Sequence, residues 1–354
     1  MQTRLPIALD AMGGDHGPGP NVEGALAAIR LDGTPVILVG DEALLRKEVE
    51  VQGGADLLNG MLSLRHAPEV VAMDEKPSQA VRRKRGSSMR VAADLVKSGE
   101  AAAVVSAGNS GAMMAVGLLV FGRIEGVLRP AIATAFPSPA RPGFSMLIDA
   151  GANIECAPEH LFQFGLMGDA YLRAVVKHPS PNLGVMANGT EDSKGTDLTR
   201  GALALLRQTD LNVLGHIEGN QILNGNIDVV VTDGFTGNVL LKTSEAVAHY
   251  VGAEIKRAFV SGGPLVKLAG LVAKSALKKV ATRLDAREAG AAPLLGLAAP
   301  AFIAHGHSDG LAIRRAIGVA RTHADAELTR VIEDQIKRWA HLVHEPSPVP
   351  SKQA

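Results

Sequence analysis

The chain reads as an α/β protein in three layers, with a mainly parallel sheet covered by helices on both faces. Two features predict this. Short apolar runs alternate with helical patterns over almost all of the 354 residues, as expected for strands joined through crossover helices. Four of those runs, within residues 7–15, 104–111, 147–153 and 229–238, end alike, in a small acid or hydroxyl residue followed by glycines and short polar residues. Polar turns at the carboxyl ends of several strands are where open α/β sheets build ligand sites. No repeat of fixed period and no Pro/Gly/Ser-rich linker divides the chain. Residues 1–344 are therefore expected to form one domain with room for two lobes, and 345–354, with three prolines, a disordered tail.

The elements follow in order. The first strand ends at Asp10 and turns through Gly13 and Gly14. A strand at 35–40 leads into a helix from Asp41, and Leu62–His66 is the next strand. Residues 76–97 read as one helix, with Pro77 in its first turn and Gly99 past its end. A strand at 102–106 feeds a helix from about Asn109. Strands at 132–136 and 145–149 precede a helix at 158–177. Strand 183–187, a helix from about Thr196 and strand Asn212–Ile217 come next. Strand 227–232 enters a long helix expected over 237–258. A strand at 301–305 and a helix at 309–331 close the pattern.

Composition excludes several functions. Lys plus Arg and Asp plus Glu number 36 each, so no net field draws the chain to nucleic acid. Aromatic residues are only 3 %, too few for a base-stacking surface. The single cysteine, Cys156, rules out an intramolecular disulfide and fits a reducing, cytoplasmic setting. Asp10 cuts the first apolar run too early for a signal-peptide core. Residues 101–122 carry no charge and are long enough to span a bilayer. Ser106, Gly108, Asn109, Ser110 and Gly111 would stand near the middle of such a span, so a strand, turn and buried helix is the expected reading. No G-x-G-x-x-G follows a strand, no G-x-x-x-x-G-K-[ST] occurs, and residues 108–111 lack nucleophile-elbow spacing. His305 and His307 have no companion ligands, so no metal is expected.

What remains is anion chemistry. Glycine turns let a ligand approach the main chain, and helix N-termini offer free N–H groups to an anion. The amides of Gly13, Gly14, Gly108, Asn109, Ser110 and Gly111 are candidates to hold a phosphate or a developing oxyanion. Lys194, in a polar loop after a strand, is a candidate cation. Asp10, Asp149 and Asp233 read either as site groups or as turn caps. The run Arg82, Arg83, Lys84, Arg85 reads as a phosphate-facing patch or as a solvated or inter-subunit face. Lys242 reads as a surface charge or a ligand, and Met113 and Met114 as core.

The motifs resemble those of bacterial phosphate acyltransferases, the acyl-carrier-protein:phosphate acyltransferases of phospholipid synthesis. The resemblance is carried by residues 7–15, Lys76-Pro77-Ser78, Arg82-Arg83-Lys84, Ser87-Ser88-Met89, residues 106–112, 149–153, 215–219, 233–239 and 293–296, and His305-Gly306. It runs in unbroken order over about residues 5–330. Departures are Gly290-Ala291 for a double glycine, Leu297-Ala298-Ala299 for a Val-Asn-Gly-like run, His307 for serine and Thr196 for asparagine.

The resemblance implies reversible transfer of a long-chain fatty acyl group from acyl-carrier protein to inorganic phosphate, without an organic cofactor. It implies a fold similar to isocitrate and isopropylmalate dehydrogenases and phosphotransacetylase, a homodimer, and a product passed to a membrane acyltransferase. Phosphate is then the nucleophile, so positioning and oxyanion stabilisation carry the reaction. Lys194 and the amides of Asn109, Ser110 and Gly111 are expected on phosphate or oxyanion. Asp233 and Asn238 are expected to orient groups, and His305 to protonate the leaving thiolate. Asp10, Gly13, Gly14, Ser106, Gly108, Asp149 and Asn153 complete the expected substrate site. The alternatives are a decarboxylating dehydrogenase or phosphotransacetylase-like enzyme on the same fold, and a non-catalytic scaffold for lipid enzymes; a scaffold needs no convergent anion site.

Residues 264–283 break the α/β alternation. On a helical wheel Lys267, Lys274 and Lys278 share one face, and Leu265, Leu268, Ala269, Val272 and Ala276 the opposite one. Leu268, Val272 and the three lysines are therefore candidate contacts for an anionic membrane surface or an acidic carrier protein. An ordinary surface helix is the plain alternative. The protein is expected in the cytoplasm with peripheral membrane association.

Overall fold

The computed structural model describes residues 4–139, 143–284 and 290–343; the tail expected at 345–354 lies outside the described residues. Its first half contains β1 (Ile7–Asp10), α1 (Pro18–Asp32), β2 (Val36–Gly40), α2 (Glu42–Val51), β3 (Leu62–His66), α3 (Pro77–Arg83), α4 (Ser88–Lys97), β4 (Ala103–Ser106) and α5 (Ser110–Val120). There follow β5 (Ala131–Pro137), β6 (Phe144–Ile148), α6 (Pro158–Tyr171), β7 (Asn182–Met186), α7 (Asp197–Leu206), β8 (Asn212–Ile217) and β9 (Val229–Val231). The chain closes with α8 (Gly234–Ser261), α9 (Pro264–Leu284), β10 (Ala292–Leu295), β11 (Ala301–Ile303), α10 (Gly310–Asp325) and α11 (Leu328–Arg338).

The eleven strands of the described residues form one sheet in the order β3-β2-β1-β4-β11-β10-β5-β6-β9-β7-β8. The fully buried runs of β1, β2 and β4 are the near-continuous apolar strands expected of a sheet covered on both faces. On one side of this half, α1 and α10 pack so closely that a Cβ on Gly24 would stand 2.5 Å from Ile313 Cβ. On the other, α4 and α5 cover the sheet through Met89, Ala92, Met113 and Val116. In the second half, α6 is buried from His160 to Tyr171 and forms the middle of a core with α7 and α11.

Three antiparallel pairings, β11–β10, β10–β5 and β5–β6, interrupt an otherwise parallel sheet. An odd number of reversals means that β6, β9, β7 and β8 run opposite to β1–β4 and β11. The strand β10, just past the amphipathic segment, is absent from the sequence reading, as is α1.

Two predicted helices are each divided in two. The helix expected over 76–97 breaks at residues 84–87. Glu69 captures this stretch, its carboxylate accepting from Gly86 N at 2.8 Å and its carbonyl from Ser88 N at 2.9 Å. The helix expected over 309–331 breaks at Glu327, whose φ of 48° is left-handed. The helix expected from Gly237 starts three residues earlier, because Asp233 accepts from Thr236 N at 2.9 Å as its N-cap.

Candidate functional site

The four polar turns form two groups. The first lies at the ends of β1, β4 and β11. Asp10, 2 % exposed, accepts from Ser106 Oγ at 2.7 Å, and Ser106 Oγ accepts from Gly108 N at 3.0 Å. Burial pushes the Asp10 carboxyl above the ordinary carboxylate range, against the opposing pull of hydrogen bonds from Ser88, Ser106, Met12 and Gly13. Gly13 is confined here: a Cβ on it would stand 2.7 Å from Gly108 N and 2.8 Å from Asp10 Oδ2. Gly14, with φ +99°, faces the Gly306 carbonyl oxygen, and Asp15 N donates to that oxygen at 2.8 Å. Asn21, a polar residue on the apolar helix α1, holds the same turn by donating to Ala11 O at 3.1 Å and Gly13 O at 2.9 Å.

Asn109 is the N-cap of α5, its Oδ1 accepting from Ala112 N at 3.0 Å. Its Nδ2 donates to Met73 O at 2.8 Å and Glu75 O at 3.1 Å. Both ends of this side chain are therefore spent on the protein. Ser110 and Gly111, the first two residues of α5, have amides with no intrahelical acceptor. They keep the anion-binding capacity read from the sequence.

The second group lies at the ends of β6, β9 and β7, adjacent parallel strands. Asp149 is fully buried and accepts five hydrogen bonds. Its Oδ1 takes Ile132 N, Gly151 N and Ala152 N at 3.0–3.1 Å. Its Oδ2 takes Asn153 N at 2.7 Å and Asn153 Nδ2 at 2.9 Å. Burial still pushes its carboxyl up. Asn153 Nδ2 also donates to Pro130 O at 2.8 Å, which ties the turn to the start of β5. Asp233 spends both oxygens on Thr236: Oδ1 on its amide at 2.9 Å, Oδ2 on its hydroxyl at 2.8 Å.

Asn238 and Lys194 differ from these. Asn238 is exposed and stands over Gly151, where a Cβ would lie 3.6 Å from its Oδ1. Lys194 is exposed in the loop after β7. Neither side chain has a hydrogen-bond or ion-pair partner among the described residues.

The two groups are linked through α8. Glu245 Oε1 lies 4.0 Å from His305 Nε2, while Glu245 Oε2 accepts from Lys242 Nζ at 2.9 Å. Glu245 is seven residues beyond Asn238, about 10 Å along the helix. The residues expected in one composite cluster thus form two groups, bridged by the contact between Glu245 of α8 and His305. His305 stands in the turn after β11, not within the strand, and belongs to the first. In the basic run, Lys84 pairs with Glu75, while Arg82, Arg83 and Arg85 are exposed. No group of three or more His, Cys, Asp or Glu with metal-binding geometry occurs among the described residues.

The sequence reading did not single out Asn21, Glu69, Glu245 or His216 as shaping the site. Asn21 carries a local signal, a lone amide in an apolar helical stretch, and His216 lies within the motif at 215–219.

A profile of the family described as "Fatty acid synthesis protein" matches residues 5–330. The phosphate acyltransferase of Anaeromyxobacter sp. (strain Fw109-5) is 50 % identical over 331 residues, covering 92 % of this chain and 90 % of that protein. The phosphate acyltransferase of Myxococcus xanthus (strain DK1622) is 48 % identical over 339 residues, covering 93 % and 94 %. Among solved structures, a phosphotransacetylase from Streptococcus pyogenes superposes with TM-score 0.62 at 17 % identity, covering 92 % of this chain and 95 % of that one. A structure assigned as a 4-hydroxythreonine-4-phosphate dehydrogenase from Salmonella typhimurium gives TM-score 0.50 at 14 % identity, covering 91 % and 99 %. At such identities the likeness establishes the shared dehydrogenase-like α/β fold.

Proposed function

The chain belongs to the phosphate acyltransferase family, and on that basis we propose that the acyl group it transfers to phosphate is a long-chain fatty acyl group carried by acyl-carrier protein. Acyl transfer to phosphate in lipid synthesis is the activity of the family; the donor and the residue roles are the proposed part. A phosphate oxygen attacks the thioester carbonyl carbon, and the C–S bond of the tetrahedral intermediate breaks. The carrier protein leaves as its thiol, taking the proton of hydrogen phosphate, and acyl phosphate remains.

One observation carries the assignment of roles. In the second group the carboxylates of Asp149 and Asp233 are committed to the protein, whereas the Lys194 ammonium and the Asn238 amide are not. Asp149, Asn153 and Asp233 then act as the frame, and Lys194 and Asn238 as the groups that touch phosphate and the oxyanion. The amides of Ser110 and Gly111 and the side chain of His305 serve the first group, with His305 the candidate proton donor to sulfur, replenished by the proton of hydrogen phosphate. The test is direct. Purified protein, palmitoyl-carrier protein and phosphate should yield acyl phosphate without added nicotinamide. Lys194→Ala should lower phosphate-dependent turnover by about 10²-fold. Turnover that needs nicotinamide favours the dehydrogenase alternative, and wild-type kinetics in the lysine variant removes Lys194 from the site.

The proposal extends to assembly. Phe235, Val239, Val247, Tyr250, Val251 and Ile255 are exposed along α8, and Leu265, Leu268, Leu271 and Val272 along α9. Exposed apolar surface on this scale marks an interaction site. It supports a homodimer and a reversible, peripheral contact with membrane, where a membrane acyltransferase would take the product. No helix among the described residues is long and apolar enough to cross a membrane.

A further inference from the structure

We propose that His216 is a positioning residue for Lys194, acting through the loop that carries it; this rests on the reading of Lys194 as a phosphate contact. His216 is the penultimate residue of β8 and is only 4 % exposed. Its Nδ1 lies 3.3 Å from the Glu191 carbonyl oxygen. A carbonyl only accepts, so Nδ1 carries the proton of this bond. The same oxygen accepts from Lys194 N at 2.9 Å. The imidazole and the lysine backbone are thus tied to one atom.

The other edge of the ring faces the residue after the lysine. A Cβ built on Gly195 would stand 3.3 Å from both Cε1 and Nε2 of His216. One side chain therefore supports the loop 191–195 on both sides of Lys194. Gly195 is held further by Asn188 Oδ1, which accepts from its amide at 2.9 Å, and by Arg200, which donates to its carbonyl at 2.6 Å. The lysine stem is guided too, since a Cβ on Gly189 would stand 2.8 Å from Lys194 Cγ.

Packing alone does not explain a histidine here. Nε2 is buried and has no hydrogen-bond partner. An apolar side chain of similar shape would fill the space without stranding a nitrogen. What only the histidine supplies is the Nδ1 donor to the Glu191 carbonyl. Its function is then to fix the direction in which Lys194 leaves the loop, because small displacements of a substrate-contacting group have large kinetic effects.

The test uses the full chain and the phosphate-dependent assay, with thermal melting as a control. His216→Ala should raise the KM for phosphate roughly tenfold and leave the KM for acyl-carrier protein unchanged. His216→Asn, whose amide nitrogen occupies the place of Nδ1, should restore most of the loss. In a Lys194→Ala background, His216→Ala should change phosphate kinetics no further, as expected of groups acting through one contact. If His216→Ala does not fold, His216→Gln removes the donor at the Nδ1 position and takes its place in the same comparison. An unchanged phosphate KM in a folded variant overturns the proposal. So does an equal loss with and without Lys194, which describes a merely structural residue. Wild-type kinetics in Lys194→Ala alone overturns the lysine reading, and this proposal with it.

Discussion

Gly237 on α8 and Asp149 in the β6 turn meet backbone to backbone: a Cβ on residue 237 would stand 1.9 Å from the Asp149 carbonyl oxygen. One turn earlier, a Cβ on Gly234 would lie 2.6 Å from Asn153 O, which already accepts from Gly234 N at 2.7 Å. Glycine at both positions lets the helix enter directly on the buried turn. That seating brings Asn238 over Gly151 and leaves its amide facing outward.

Gly237→Ala tests whether this approach is required. Alanine would favour the helix by about 1 kcal/mol over glycine. The obstructing atom is main-chain oxygen, which cannot rotate away, so the clash should outweigh that gain. The expected net loss is about 2 kcal/mol or more in urea unfolding, with at least a tenfold fall in turnover. A variant as stable as the wild type would show that α8 can shift without cost.

Strand positions were legible because buried parallel strands leave near-continuous apolar runs, as at Val36–Gly40 and Val229–Val231. The division of labour within the turns was not. Asp10, Asp149 and Asp233 look alike in sequence, and a short acid after a strand fits a ligand or a cap equally well. Asp233 caps a helix through the nearby Thr236, whereas Asp149 gathers five donors that include Ile132 and Asp10 holds the hydroxyl of Ser106, partners 17 and 96 residues away. The break before Ser88 depends on Glu69, seventeen residues from Gly86. The reversal of the second half depends on β10, four residues that pair with the nearby β11 but also with β5, at Ile132 and Ala131, far back in the chain. Pattern and propensity record local preference, and these features are set by distant partners.

His323 on α10 should make stability depend on pH. It is 2 % exposed and stacked on Phe302 at a centroid distance of 4.8 Å and 10°, with Tyr171 edge-on at 4.8 Å. Neither ring nitrogen has a partner, and burial pushes its pKa down to about 3. The unfolded chain, with a pKa near 6.5, binds the proton more readily. The stability is therefore complete above about pH 6.5 and is lost as pH falls toward 3, by up to about 5 kcal/mol at the limit. Between pH 6.5 and 5 this group should cost about 2 kcal/mol. The raised carboxyls of Asp10 and Asp149 act in the opposite sense, so the comparison is with His323→Phe, which retains them. The wild type should lose more stability than the variant between those pH values. Parallel pH profiles would count against a neutral buried imidazole.

Cys156 should be inert in the native protein. Its thiol is half-buried beside the Asn153 carbonyl, and burial, with the nearby charges of Asp149 and Asp233, pushes its pKa up to about 12. The thiolate is the reactive form. A chromogenic disulfide reagent at pH 8 should label the folded chain far more slowly than the chain in denaturant, and Cys156→Ser should retain turnover. Rapid native labelling would contradict this environment.

The arm formed by α8 and α9 provides the last test. Gly270 packs α9 on α8, a Cβ there lying 2.8 Å from Phe259 Cδ1. Leu268 and Val272 point elsewhere and are 59 % and 79 % exposed, and Lys267 and Lys274 are exposed as well. Glutamate at 268 and 272 should therefore leave thermal melting unchanged, because neither residue supports the fold. If the face rests on lipid, the same pair should release the protein from anionic vesicles in sedimentation. Glutamate at 267, 274 and 278 should weaken that binding in the way high salt does, since the contribution of lysines near an anionic surface is screened within about 10 Å at 0.1 M salt. If vesicle binding is unaffected and the lysine variant instead raises the KM for acyl-carrier protein, the helix receives the carrier. If both readouts match the wild type, α9 contacts neither lipid nor carrier, and it is an ordinary surface helix.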